Sequence, residues 1–293
     1  NKEIENLDNN NVLEYVDYEN IPDKSKILRT FMFGVVKYKN DGELDKLKFR
    51  CVVNGAMQKP GTYTRTASPV ISRQLLFLLL HWSCQPGWTR SNFDISAAFC
   101  KIKMKDQDIY VELDKSVWKN NKHKRYAKLL RVLYGLKQAS REFYIELKKI
   151  VTEGEIRIHE DGPVMRFEAT NLDGGIFSLV DENDELVALI GGHVDDLLLV
   201  AKYLTIKVQL LAILKKRFGE VTEGDGSSFC GLAILDVEEN CIKICQPAYL
   251  KQLGSTLNLE EETKHISENT LNKYKSEPWN SSQIGFGLSD EKI

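Results

Sequence analysis

Two adjacent aspartates between apolar segments constrain the fold of this chain more than any other feature. The segments LVALIGGHV (186–194) and LLLVA (197–201) are separated by only Asp195 and Asp196. Such a short connection between apolar strands predicts a tight, buried β-hairpin. Two like charges beside a core repel each other and lose hydration, and a divalent cation would remove both costs. A turn that uses aspartate only for local hydrogen bonds is the alternative interpretation.

A third carboxylate lies on another predicted core strand. The segment WTRSNFDI (88–95) is predicted to be a strand that ends in Asp94. If this strand lies beside the aspartate hairpin, Asp94 joins Asp195 and Asp196 at one place. Three carboxylates supply the hard oxygen ligands that two magnesium ions need for nucleotidyl transfer. The sequence has no GxxxxGKS/T, GxSxG or HExxH motif to indicate a different chemistry.

A second predicted hairpin places two cations on one strand face. It joins FMFGVVKY (31–38) to LKFRCVV (47–53) through turn residues at 40–42. Because alternate residues of a strand face the same side, Lys48 and Arg50 share one face. The apolar residues on the other face are Leu47, Phe49, Cys51 and Val53. The cation pair suits a triphosphate, and a merely exposed strand face is the alternative.

Helical periodicity and turn residues predict the remaining elements. The nearly all-apolar segment RQLLFLLLHWSC follows Ser72 as a possible N-cap and is expected to form a buried helix. The other expected elements are helices over 139–151 and 203–218, a hairpin from 229–237 and 241–246, and a short helix opened by Pro247. The core residues expected from the helix over 203–218 are Val208, Leu211, Ile213, Leu214 and Phe218. Irregular alternation with several hairpins favours an α+β fold with an antiparallel sheet.

The net charge of −2 hides an uneven distribution. Residues 115–149 carry eleven basic and two acidic side chains, whereas residues 220–293 carry thirteen acidic and six basic ones. A basic stretch of this density suits phosphates, and a solvated loop and helix face is the alternative.

Composition predicts a soluble chain without a membrane partner. No apolar run approaches the roughly 20 residues that span a bilayer, and the first residues are polar rather than signal-like. Six cysteines lie mostly in apolar stretches, as expected of small buried thiols in a reducing compartment. Because the chain starts with Asn1, we expect it to be part of a longer product.

Several motifs follow one another along the chain. They are KFRCVVNG (48–55), then Gln58, Gly61, Tyr63 and SPV (68–70), FDISAAF (93–99), LYGLKQASREFY (133–144), HVDDLLLVA (193–201), LKKRFGE (214–220) and QPAYLKQL (246–253). In this order they resemble the reverse transcriptases of copia-type (Pseudoviridae) LTR retrotransposons, a domain of the Pol polyprotein. The resemblance covers roughly residues 10–255, and LYGLKQ followed by VDD is its most specific part.

The resemblance implies roles at the carboxylates and next to them. Asp94 corresponds to the first catalytic, metal-binding carboxylate, and Asp195 and Asp196 correspond to the catalytic, metal-binding pair. Phe99 stands where these enzymes place an aromatic gate against the ribose 2′-hydroxyl, and a core aromatic is a compatible interpretation. Gln138 matches a glutamine that contacts the incoming nucleotide.

The resemblance also implies roles for cationic residues. Lys48 and Arg50 match basic residues around the triphosphate of the bound nucleotide. Lys137 and Arg141 are assigned to template or phosphate contacts. His193 stands where the family usually has tyrosine, near the primer terminus, and is expected to contact nucleic acid.

By the same resemblance the chain is expected to be an RNA-directed DNA polymerase that uses Mg²⁺, with Mn²⁺ as an alternative. The implied fold is a right hand with fingers, palm and thumb. The expected divisions are fingers at 1–90, palm at 91–112, a basic fingers–palm connection at 113–150, palm at 151–245, and a thumb start or unassigned tail at 246–293. Implied partners are template–primer, dNTPs, and RNase H and integrase regions of the same polyprotein. Cytoplasmic virus-like particles, or the nucleus, are the expected location.

Two other functions remain open at the level of sequence. A catalytically impaired, domesticated RNA-binding or assembly module would keep the palm without turnover. The change to His193 and the shortened context favour it. Retention of the three aspartates (Asp94, Asp195, Asp196), Phe99 and Gln138 argues against it, since folding alone does not require these residues. A terminal or primer-synthesising nucleotidyltransferase shares the metal chemistry, and the LYGLKQ motif disfavours it.

Overall fold

The computed structural model describes residues 2–38, 44–63, 65–105, 108–119 and 124–256. The chain divides into two units, Asn1–Gln246 and Pro247–Ile293. In the second unit the described part is one helix. The predicted turn at 40–42, Lys122 of the basic segment and the tail beyond 256 lie outside the described residues.

Helices and strands alternate irregularly along the described residues. The helices are α1 (Lys2–Asn9), α2 (Arg73–Trp82), α3 (Lys115–Trp118), α4 (Ala139–Glu153), α5 (Leu204–Phe218) and α6 (Pro247–Thr256). The strands are β1 (Leu13–Val16), β2 (Leu28–Tyr38), β3 (Leu44–Val53), β4 (Thr89–Ile95), β5 (Tyr110–Glu112), β6 (Tyr126–Leu129), β7 (Glu168–Ala169), β8 (Ile176–Val180), β9 (Leu186–His193), β10 (Asp196–Ala201), β11 (Val221–Gly224), β12 (Ser228–Phe229), β13 (Leu232–Glu238) and β14 (Cys241–Cys245). The helices predicted over 139–151 and 203–218 are confirmed as α4 and α5.

The described strands form three sheets. Their strand orders are β1-β6-β5-β2-β3, β11-β4-β10-β9-β8-β7 and β12-β13-β14. Within these described strands the parallel pairing is a short one between β2 and β5, and the other pairings are antiparallel. The predicted α+β class with an antiparallel sheet is therefore confirmed.

Both faces of the six-stranded sheet are covered. Phe93 and Leu197 belong to a large core that includes residues of α4 and α5. Leu198 and Val200 belong to a second cluster with residues of α2 and the three-stranded sheet. A strand buried on both faces needs apolar side chains at successive positions, which explains the unbroken run LLLVA.

Two predictions of burial are wrong. Helix α2 is not buried all round, because Phe77 and Leu78 are about half exposed. Val208 of α5 is also exposed, at 57%. Each helix buries one stripe and leaves its opposite side in solvent, a pattern that the apolar sequence hides. Ser72 stands at the N-cap of α2 without a side-chain capping bond.

The β2–β3 hairpin is confirmed, and its register pairs Lys48 with Val35 and Arg50 with Phe33. The two cations therefore share a face, as predicted. On the opposite face Leu47 and Phe49 are exposed at 64% and 48%. The reason is that β3 is an edge strand whose outer half extends beyond the core.

The cysteines are less uniformly buried than predicted. All six are free, and Cys51 and Cys100 are buried whereas Cys241 is exposed. Burial raises the pKa of the Cys51 and Cys100 thiols to about 12, so these two are protonated at neutral pH. No helix among the described residues is long and apolar enough to cross a membrane.

Candidate active site

The aspartate hairpin turns one residue earlier than predicted. His193 and Asp196 are Cα partners, so the connection consists of Val194 and Asp195, and Asp196 begins β10. The turn holds Val194 at φ 58°, a left-handed conformation that is rare for a β-branched residue. The prediction that both aspartates form the connection is therefore wrong, because the apolar pattern does not indicate a left-handed valine.

Asp94 lies directly beside this hairpin. Strand β4 pairs with β10, and Asp94 is the Cα partner of Asp196. On its other side Asp94 is the partner of Thr222 on β11. Direct partners in an antiparallel sheet project to the same face. Thr222, Asp94, Asp196 and His193 therefore form one row across four strands.

The Asp196 carboxylate is held by a neighbouring hairpin. Its Oδ2 accepts a hydrogen bond of 2.9 Å from the Cys230 backbone N–H, at the turn between β12 and β13. Burial, together with the charges of Asp94 and Asp195, raises the pKa of Asp196 to about 6. The sheet thus holds Asp196 in a position where its negative charge is disfavoured.

The pKa of Asp195 is raised above its ordinary value, and charges of both signs act on it. Burial and the charge of Asp94 raise its pKa, whereas the charges of Arg50 and Lys48 lower it. The Arg50 guanidinium lies over the Tyr134 ring at 4.9 Å. Its Nε is buried and has no hydrogen-bond partner among the described residues. Because this Nε is sealed from solvent, a ligand could meet only the positive charge of the guanidinium and not this donor.

The three carboxylates have the oxygen ligands that suit a divalent cation, but their side chains are not arranged around a common point in the described residues. Carboxylate oxygens are the ligands that Mg²⁺ and Mn²⁺ prefer, and the crowded charges of Asp94, Asp195 and Asp196 would be neutralised by such an ion. Among the described residues, however, no group of three or more His, Cys, Asp or Glu side chains is placed to hold a metal. The Asp196 carboxylate is directed instead to the Cys230 N–H.

Phe99 packs in the large core that includes residues of α4 and α5. It is 8% exposed, and its ring meets Tyr134 at 5.0 Å and Phe143 at 6.0 Å in edge-to-face contacts. Phe99 thus contacts the same Tyr134 ring over which the Arg50 guanidinium lies. Its interpretation as a core aromatic is confirmed, and its role as a gate stays a prediction.

Gln138 is engaged in a buried amide network. Its Oε1 accepts a bond of 2.8 Å from Nε2 of Gln58, whose own Oε1 accepts from the Lys137 backbone N–H at 3.0 Å. Lys137 Nζ donates to the Gln58 carbonyl and lies near the Tyr63 hydroxyl, at 3.1 and 3.2 Å. Arg141 donates to the Ala67 carbonyl at 3.0 Å. Lys137 and Arg141 thus make hydrogen bonds within the chain. His193 is exposed at the end of β9.

Three features of the site were missed from the sequence. Gln58 is part of a motif in the sequence, and no local sequence pattern indicates that it contacts Gln138. The Cys230–Gly231 turn has a weaker signal, since an isolated glycine inside a strand pattern indicates a local irregularity such as a bulge. Gly55 and Gly135 pack so closely that a Cβ on Gly55 would lie 2.0 Å from the Gly135 carbonyl oxygen.

Comparison with known proteins shows the family of the chain. The family described as Reverse transcriptase (RNA-dependent DNA polymerase) matches residues 10–267. The chain therefore belongs to the reverse transcriptase family, whose fold is the right hand of a polymerase, and the resemblance to copia-type retrotransposon enzymes is confirmed.

Two relatives are retrovirus-related Pol polyproteins. That from transposon RE1 of Arabidopsis thaliana is 28% identical over 225 residues, covering 76% of this chain and 14% of the polyprotein. That from transposon TNT 1-94 of Nicotiana tabacum is 24% identical over 262 residues, covering 88% and 18%. The chain thus spans less than a fifth of either relative. A foamy viral protease–reverse transcriptase, solved with double-stranded DNA, is 11% identical with a TM-score of 0.42, covering 94% of this chain and 44% of that one.

Proposed function

We propose that the chain is an RNA-directed DNA polymerase that extends a primer with dNTPs. The observation that carries the proposal is the pairing of Asp94 with Asp196, beside Asp195 and within the electrostatic reach of Lys48 and Arg50. Carboxylates next to cations form a site that can take both metal ions and an anionic nucleotide.

Asp94, Asp195 and Asp196 would hold Mg²⁺ or Mn²⁺. When bound, such ions activate the primer 3′-hydroxyl and neutralise the leaving pyrophosphate. The positive charges of Arg50 and Lys48, which act on Asp195, would bind the triphosphate. Gln138 would contact the sugar or base of the nucleotide, and Phe99 would limit the space beside the ribose. Lys137, Arg141 and His193 would contact the template–primer.

The larger organisation is part of the same proposal. We assign the fingers to 1–90, the palm to 91–112 and 151–245, their basic connection to 113–150, and the thumb start to 246–293. Template–primer, dNTPs, and RNase H and integrase regions of one polyprotein would be the partners. The proposed location is a cytoplasmic virus-like particle, with nuclear entry as the alternative.

Primer extension on poly(rA)/oligo(dT) with dTTP and Mg²⁺ tests the proposal. The chain should extend the primer, and the Asp195→Asn, Asp196→Asn double variant should not. Asp184→Asn is the matched control, because Asp184 is exposed and its positive φ suits asparagine. A folded chain that binds the template without extending the primer would instead support the binding module.

A further inference from the structure

Gln58 and Gln138 form a buried pair of amide side chains. Gln58 is 2% exposed and Gln138 is 7% exposed. They come from segments eighty residues apart and meet through a single bond of 2.8 Å. Buried amides of this kind are held by the few partners that they can reach.

The partners of Gln58 fix the orientation of its amide. The Lys137 backbone N–H can only donate, so the Gln58 atom that it meets at 3.0 Å must be the oxygen. The Thr62 carbonyl can only accept, and it lies 3.4 Å from the Gln58 nitrogen. A flipped Gln58 amide would face a donor with a donor and an acceptor with an acceptor.

This orientation passes to Gln138. The Gln58 nitrogen donates, so the Gln138 atom that it meets must be the carbonyl oxygen. The Gln138 Nε2 makes no hydrogen bond to the described residues. It is also not one of the described side-chain atoms that are both unpaired and sealed from solvent. The free end of Gln138 is therefore an NH₂ group.

We propose that Gln58 is a positioning residue that holds the Gln138 amide with its NH₂ group toward the nucleotide. The proposal rests on the polymerase function proposed above. Gln138 then donates to an oxygen acceptor of the nucleotide and cannot accept from a donor there. A wrongly oriented amide would present its carbonyl oxygen to that acceptor, which is repulsive.

Two substitutions at Gln58 separate orientation from packing. Gln58→Glu keeps an acceptor for the Lys137 N–H. Its second carboxylate oxygen replaces the Gln58 NH₂ group, so the Gln138 amide must rotate to donate its own NH₂ group to residue 58, which leaves its carbonyl oxygen at the free end. Gln58→Met loses every side-chain bond and leaves the Gln138 amide free to rotate. If Gln58 positions Gln138, the KM for dTTP rises about tenfold in Gln58→Glu and about threefold in Gln58→Met, with kcat nearly unchanged. If Gln58 has only a structural role, Gln58→Met should be the more affected variant, with the lower melting temperature and the smaller active fraction.

The charge of Gln58→Glu requires a second comparison. In a Gln138→Leu background, Gln58→Glu should add less than a twofold rise in KM, because the amide through which it acts is gone. An unchanged tenfold effect in that background would show direct repulsion of dTTP and overturn the proposal. If Gln58→Glu does not fold, Gln58→Met alone decides, and an unchanged KM for dTTP overturns the proposal.

The two proposals fail in different ways. A folded parent chain that extends no primer overturns the polymerase function, and the positioning role with it. A parent chain that extends the primer, with Gln58→Glu and Gln58→Met equal in KM, overturns the positioning role alone.

Discussion

Asp94 and Asp196 are direct partners on neighbouring strands, so their carboxylates stand on the same face of the sheet. The charge of Asp94 contributes to the raised pKa of Asp196, after the larger effect of burial. We expect Asp94→Asn to move the pKa of Asp196 part of the way from about 6 towards 3.8. Without divalent cations at pH 8, the free energy of unfolding should rise by up to about 1 kcal/mol, since like charges in direct register repel. Carboxyl ¹³C NMR titration and urea unfolding measure the two effects, and an unchanged pKa would contradict the pairing.

Divalent cations should stabilise the folded chain. A ligand at ten times its Kd adds about 1.4 kcal/mol, which corresponds to a rise of about 4 °C in melting temperature for a chain of this size. We expect Mg²⁺ or Mn²⁺ to give such a rise in the parent and in Asp184→Asn. Asp195→Asn, Asp196→Asn should abolish it. Differential scanning fluorimetry makes the comparison, and equal shifts in all three proteins would refute a metal site at the hairpin.

Glu3 should make stability depend on pH. Its carboxylate is buried and accepts a bond of 2.8 Å from the Cys51 N–H, and burial raises its pKa above 4.5. A raised pKa means that the folded chain binds the proton more tightly, so this contribution to stability is complete below about pH 4.5 and is lost as pH rises through the folded pKa. Glu3→Gln keeps the acceptor without the charge. It should add roughly 1 kcal/mol at pH 8 and almost nothing at pH 4 in urea unfolding; an equal gain at both values would disprove the assignment.

Phe99 should control the choice of sugar. Phe99→Val opens space beside the proposed nucleotide site, so preference for dTTP over ribothymidine triphosphate, as the ratio of kcat/KM, should fall about tenfold. Phe143→Leu is the matched control, because Phe143 contacts Phe99 and is fully buried. It should lower the melting temperature with little effect on the ratio. Equal loss of discrimination in both variants would assign the effect to packing.

The close approach of Gly55 to Gly135 should resist any side chain. A Cβ on Gly55 would lie 2.0 Å from the Gly135 carbonyl oxygen, so Gly55→Ala must displace the loop that leads to Gln138. We expect a loss of about 2 kcal/mol or more in unfolding free energy and a higher KM for dTTP. Gly87→Ala serves as control, because Gly87 has positive φ but no atom within 4 Å of a Cβ, and it should cost about 1 kcal/mol.

The elements with strong local patterns were predictable from sequence. The β2–β3 hairpin, α4, α5 and the acidic hairpin follow from alternation, helical period and a short connection. The local pattern around Asp94 predicts a strand but not its neighbour in the sheet, because the partner residue Asp196 is about a hundred residues away. Only the motif order, through resemblance to a known family, indicated that the two strands are neighbours.

The misplaced details depend on tertiary contacts or backbone conformation. Val208 has the spacing of a core residue, but the core meets a different stripe of α5. Val194 adopts a conformation that its side chain disfavours, so the turn shifted by one residue relative to expectation. Gln58 has no local pattern at all, and its role follows from a contact across eighty residues.

The position of β4 between β10 and β11 also affects how the chain folds. Its two sheet neighbours, β10 and β11, lie roughly one hundred or more residues later in the sequence. During synthesis Phe93 and Ile95 would therefore leave the ribosome long before the strands that pair with β4. Pairings this distant in sequence carry a large loop-closure entropy and slow the formation of the sheet. Recombinant yield should accordingly depend on chaperones and on the rate of translation between residues 95 and 221.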